Sequence, residues 1–131
     1  MTTVDLELAQ ELQSVCEEKG IELPDHYWGW FYQEITESNI LLPMFTNTLS
    51  EYLAPAYTLD ELLELLPKTI PSRGMVREYR WRLTPNMYNY ETYDIGYYDH
   101  EGCRMVITDN PNPANAACKL LIWLIKKGFI K

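Results

Sequence analysis

Few residues of this 131-residue sequence are of a type and spacing that could carry out chemistry. Two histidines occur, His26 and His100, each beside a carboxylate: Asp25 precedes the first, and Asp99 and Glu101 flank the second. Neighbouring side chains leave the backbone in different directions, so adjacency alone does not build the nucleophile, base and orienting group that catalysis needs. The sequence has no glycine-rich phosphate loop, no GxSxG elbow and no HExxH helix. No catalytic residue is assigned, and enzymatic activity is not expected. An enzyme acting on a small polar substrate would need a deep pocket with a perturbed titratable group near His26 or His100. Cys16, Cys103 and Cys118 are too few and too scattered for a disulfide framework, and neither histidine lies at zinc-site spacing from them. All three are expected to be buried thiols, with no metal and no cofactor.

Binding chemistry is better represented. Tyr27-Trp28-Gly29-Trp30-Phe31-Tyr32 puts five large rings in six positions. On a helix they would surround the axis, which leaves some facing water or a partner; Trp28, Phe31 and Tyr32 are expected in the core, with Tyr27 and Trp30 as an exposed recognition patch. The other cluster is Arg77, Arg80, Arg82 and Arg104, with Tyr88, Tyr90 and Tyr98 close in sequence. Arginine beside aromatic rings can hold phosphates and stack bases. The same arginines could instead be cross-paired with Glu78, Glu91 or Asp94 on a polar sheet face.

Charge separates the two halves. Residues 1 to 66 hold 13 acidic side chains and one basic, net −12, whereas residues 67 to 131 hold 6 and 10, net +4; together they make the overall −8. The first half suits a basic partner and the second an anionic one. The longest apolar run, residues 120 to 125, is far short of the roughly 20 residues that cross a bilayer. The acidic start lacks the basic and apolar regions of a targeting segment, so a cytoplasmic location without membrane contact is expected.

The elements that would position these residues follow from local patterns. Leu8, Leu12 and Val15 recur among acidic residues, which predicts a helix over residues 4 to 18 stopped by Gly20. Asp25 can cap a second helix with Trp28, Phe31, Tyr32 and Ile35 on one face. Residues 38 to 56, with Pro43 and Pro55, read as a surface loop with one possible helical turn from Thr48 to Glu51. Thr58 and Glu61 form a capping box, with Tyr57 and Leu62 as a hydrophobic staple, for a helix ended at Pro67. Alternation from Met75 predicts a strand with Tyr79, Trp81 and Leu83 on one face and Glu78, Arg80 and Arg82 on the other. Pro85-Asn86 turns the chain into a second strand carrying Tyr93, Ile95 and Tyr97. Residues 99 to 102 suit a hairpin into a third strand over residues 103 to 108. Asn112 as N-cap and Pro113 at the first helical position start a helix that runs to Lys127 and stops at Gly128. It is apolar around most of its circumference, as a core or interface helix would be.

The expected architecture is one α+β domain: a helical, acidic part over residues 1 to 57, then a helix, a three-stranded antiparallel meander and a C-terminal core helix over residues 58 to 131. That second part, from Ala56-Tyr57-Thr58-Leu59 through the tyrosine-rich meander to Asn112-Pro113-Ala114-Asn115-Ala116 and Leu120-Leu121-Ile122-Trp123-Leu124-Ile125, resembles small uncharacterised proteins of prophages and mobile elements in gut bacteria. The resemblance implies a setting and no catalytic residue. The order of elements also resembles double-stranded RNA-binding domains, but the start of the last helix has no basic residue before Lys119. The expected function is that of an accessory or adaptor protein binding another protein through the acidic half and the aromatics around Trp30, with no catalysis expected, and able to form a homodimer through apolar surface of the last helix. The alternative is a nucleic-acid-binding module using Arg80, Arg82, Tyr88 and Tyr90.

Overall fold

The computed structural model describes residues 2–44, 50–71, 78–86, 88 and 91–130. In chain order these form α1 (Leu6–Lys19), β1 (Trp28–Gln33), β2 (Ser38–Pro43), β3 (Glu51–Pro55), α2 (Leu59–Leu65), β4 (Thr69–Pro71), β5 (Glu78–Pro85), β6 (Tyr93–Tyr98), β7 (Arg104–Asn110) and α3 (Pro113–Lys126). The strands build two antiparallel sheets, ordered β2-β1-β3 and β4-β5-β6-β7. The α+β expectation holds at that level.

The α3 helix organises the interior. The Asn112 side chain accepts from the Ala114 and Asn115 amides, and Pro113 occupies a first-turn position whose N–H would have no partner in the helix. Residues on every side of the helix are buried, including Ala117, Leu120, Leu121, Leu124 and Ile125. They pack against α1, α2, β6 and β7. Each large side chain removed from water contributes roughly 1.5–3 kcal/mol, which makes α3 the main apolar anchor. Its more exposed residues are Pro113, Lys119, Trp123 and Lys126, and Trp123 stacks on Phe129 with centroids 5.8 Å apart. The apolar surface expected to remain on this helix for a homodimer is therefore largely covered within the chain.

The other local predictions for residues 58 to 131 match in outline, while the strand start expected at Met75 lies outside the described residues and the sheet has four strands where three were expected. Thr58 and Glu61 bond reciprocally at the start of α2, and the staple residues Tyr57 and Leu62 are both buried. Strands β5, β6 and β7 form the meander, preceded by the unpredicted short strand β4 on the outer edge of β5. Tyr97, fully buried on β6, donates to the Pro67 carbonyl at 2.6 Å, which ties the end of α2 to the middle of the sheet.

The first half departs from expectation after α1. That helix ends as predicted at Gly20, whose φ of 69° is left-handed. Residues 28 to 33 form the central strand β1 instead of a second helix, and residues 38 to 43 and 51 to 55 are strands instead of loop. The helical turn proposed at Thr48 lies partly outside the described residues, and Glu51 is in β3. Ile35, assigned to the buried face of the false helix, is 87% exposed in the turn between β1 and β2. Pro43 and Pro55 are the last residues of outer strands, where a missing backbone donor is tolerated. Cys103 is exposed in the connection between β6 and β7, against the expectation of three buried thiols; Cys16 and Cys118 are buried.

Candidate functional site

Two sheet faces carry the side chains singled out by sequence. On the three-stranded sheet, β1 alternates. Trp30 is half-buried against the core, and its indole N–H donates to the Val4 carbonyl at 3.0 Å. It is thus fixed in the fold and does not form the exposed patch expected of it. Gly29 and Phe31 lie on the other face with their cross-strand partners Leu42 and Ile40 on β2 and Pro55 and Tyr52 on β3. Phe31 meets Tyr52 edge to face at 5.5 Å. A Cβ on Gly29 would sit 2.6 Å from Met44 Sδ, so glycine here lets Met44 and the rings close over the strand. Tyr27, the other predicted recognition residue, is 51% exposed and packs edge to face on Trp28. Tyr27, Ile35, Met44 and Tyr52 are four of the five exposed large hydrophobic residues among the described residues. Exposed Glu22, Asp25, Glu34, Glu37 and Glu51 belong to the same stretch of chain. Sequence reading missed Ile35, Met44 and Tyr52 because it assigned them to a helix and a loop.

On the four-stranded sheet, β5 exposes Glu78, Arg80, Arg82 and Thr84 and turns Tyr79, Trp81 and Leu83 inward, as its alternation predicts. The ladder sets Arg80 opposite Tyr98 and Arg82 opposite Gly96, and Tyr98 pairs in turn with Arg104 on β7. The Arg82 guanidinium lies 4.4 Å from the centre of the Tyr98 ring. Gly96 is required because a Cβ would lie 2.3 Å from the Val106 carbonyl oxygen. The cross-pairing considered for these arginines is not seen: Arg80, Arg82 and Arg104 make no ion pair among the described residues. Tyr88 is 92% exposed and borders a groove shared with Tyr98 and Arg104. Tyr90 and Arg77 lie outside the described residues.

The histidines sit elsewhere. His26 borders a cleft of about 240 Å³ that also touches Cys16, Tyr52 and Tyr57. Its Nε2 is 3.1 Å from the Tyr52 hydroxyl. Burial lowers its pKa, partly offset by the nearby Glu61 and Asp25 carboxylates. Burial raises the Cys16 pKa. A nucleophilic cysteine needs the reverse, a thiolate stabilised by positive surroundings, so the cleft does not have the electrostatics of an activated Cys–His pair. His100 is exposed and 3.7 Å from Glu101. Asp99, Glu101 and Cys103 bring ligand-type atoms within 4.8 Å of one another. The Asp99 Oδ1, however, already accepts from the Glu101 and Cys103 amides at 2.9 Å each, which is the hydrogen bonding of a hairpin turn.

Comparison with protein-family models, with curated proteins and with solved structures gives no match.

Proposed function

We propose that this chain is a small accessory protein that acts by binding another protein, and that the open face of the β2-β1-β3 sheet is its recognition surface. The observation that carries this reading is the exposure of Tyr27, Met44 and Tyr52 around the Gly29 end of β1, where Met44 and Tyr52 close over the strand and the Met44 amide donates to the Tyr27 carbonyl, with Ile35 exposed separately in the β1–β2 turn. Exposed apolar side chains favour association, because burying them between partners removes apolar area from water. The surrounding carboxylates favour a partner with a basic rim and disfavour polyanions. The proposed setting is a phage or mobile element, as the resemblance of the C-terminal part implies. Tyr27 keeps the role given to it from sequence, whereas Trp30 contributes by holding β1 against the core.

The test is affinity capture by the tagged full-length chain from a nuclease-treated lysate of its host, beside a Tyr27→Ser/Ile35→Lys variant. A stoichiometric protein retained by the wild type and lost by the variant supports the proposal. Equal recovery by both, or no protein surviving nuclease treatment, sinks it.

A further inference from the structure

We infer that the open face of the four-stranded sheet is a second binding site, for single-stranded nucleic acid. It stands independently of the protein-binding reading and uses different strands. Three features converge there. Arg80, Arg82 and Arg104 supply positive charge from β5 and β7 without an ion-pair partner among the described residues. Tyr98 lies between these strands on β6 and is stacked by Arg82. Gly96 adds no side chain beside them.

The charges follow a pattern along the sheet. Arg80, Tyr98 and Arg104 share one cross-strand row, and Arg82 lies opposite Gly96 in the next row on that face. Glu78 is at one end of β5, while Asp94 and Asp109 pair near the other end of the sheet. The Asp94 carboxylate is engaged by the Asn86 amide at 3.1 Å. The result is a band of three arginines running across the strands, about 10 Å wide from β5 to β7 at ordinary strand spacing, with the Glu78, Asp99 and Glu101 carboxylates bordering it on the Arg80 side. Phosphates can bind along such a band, and bases can stack on the adjoining guanidinium and phenol planes. Exposed Tyr88 extends the aromatic surface at the rim. An acidic peptide would use the arginines and leave the stacked Arg82–Tyr98 pair and Tyr88 without a role. The depression of about 980 Å³ lined by Arg80, Arg82 and Tyr98 is open to solvent, which suits a strand passing across it better than a free nucleotide, which gains most from an enclosed pocket.

The experiment is fluorescence anisotropy of the full chain with labelled single-stranded oligonucleotides of about ten nucleotides, titrated from about 25 to about 200 mM salt. Three phosphate contacts predict a slope of log Kobs against log salt of about −2, from roughly 0.7 per contact for single strands. Arg82→Ala should weaken binding about tenfold and make the slope shallower by about 0.7. The Arg80→Ala/Arg82→Ala/Arg104→Ala variant should lose binding, with circular dichroism confirming that these exposed substitutions leave the fold intact. Tyr98→Leu should weaken binding while keeping the slope. The inference is overturned by absent binding at the lowest salt or by an Arg82→Ala variant that binds as the wild type does. It is also overturned if a mononucleotide, or polyglutamate at equal charge, competes as well as the unlabelled oligonucleotide.

Discussion

His26 shows how position turns an ordinary side chain into a pH-sensitive one. Its ring packs edge to face on Tyr57 at 5.3 Å and is stacked with Tyr52 at 6.2 Å. Removal from water penalises the charged imidazolium, so the folded pKa lies below the ordinary 6.5 despite Glu61 and Asp25. Below that ordinary value the unfolded chain binds the proton more readily than the folded one. The stabilising contribution is thus present above about pH 6.5 and is lost as pH falls toward the lowered folded value. Chemical unfolding should show a larger loss of stability between about pH 7.5 and 5.5 for the wild type than for His26→Gln. Parallel losses in the two proteins would mean that burial of His26 does not set this dependence.

At the scale of elements, polar contacts at the start of α3 decide how the N-terminal segment docks. Asn115, almost fully buried, accepts from the Asp5 amide at 2.8 Å and donates to the Asp5 carboxylate at 2.7 Å. Asn112 also donates from its side chain to the Thr3 carbonyl at 2.9 Å. On its other side the same segment bridges residues 57 to 59: the Val4 amide donates to Tyr57 and the Leu59 amide to Thr2, both at 3.0 Å. The beginnings of α1, α2 and α3 are therefore linked through one short extended segment. Asn115→Ala should lower stability by about 0.5–1.5 kcal/mol for each of its two hydrogen bonds to Asp5, since Asp5 is exposed and water can partly take their place. An unchanged urea midpoint would show that water replaces these bonds at no cost.

The whole molecule shares one interior. The core cluster joins Val4, Leu12 and Val15 from the N-terminal region, Ala54 from β3, Leu62 from α2, Ile95 and Tyr97 from β6 and the buried face of α3. Because both sheets contribute to it, loss of α3 packing should be felt by both. Leu124→Ala is expected to cost about 2–5 kcal/mol through the cavity it leaves. The unfolding curves followed by tryptophan fluorescence and by far-ultraviolet circular dichroism should move together and stay superimposed. Curves that separate would show that the two sheets unfold independently.

The features legible in the sequence are those whose cause is local. The Thr58–Glu61 box, the Asn112-Pro113 start, the Gly20 stop and the alternation of β5 and β6 each depend on residues a few positions apart. That locality also made the Arg80 and Arg82 face legible. The aromatic run was misread because five large residues in six positions satisfy a helical period and a strand period alike. Only pairing with β2 and β3 on either side selects the strand. The same non-local pairing makes strands of residues 38 to 43 and 51 to 55, where proline and weak alternation had suggested a loop. Tertiary structure also decided which side chains meet: Trp30 turns inward to Val4, and Arg82 reaches the Tyr98 ring in the register that puts Gly96 opposite it. Composition named the residue types available for binding, but strand register and the packing around α3 determined which of them reach the surface.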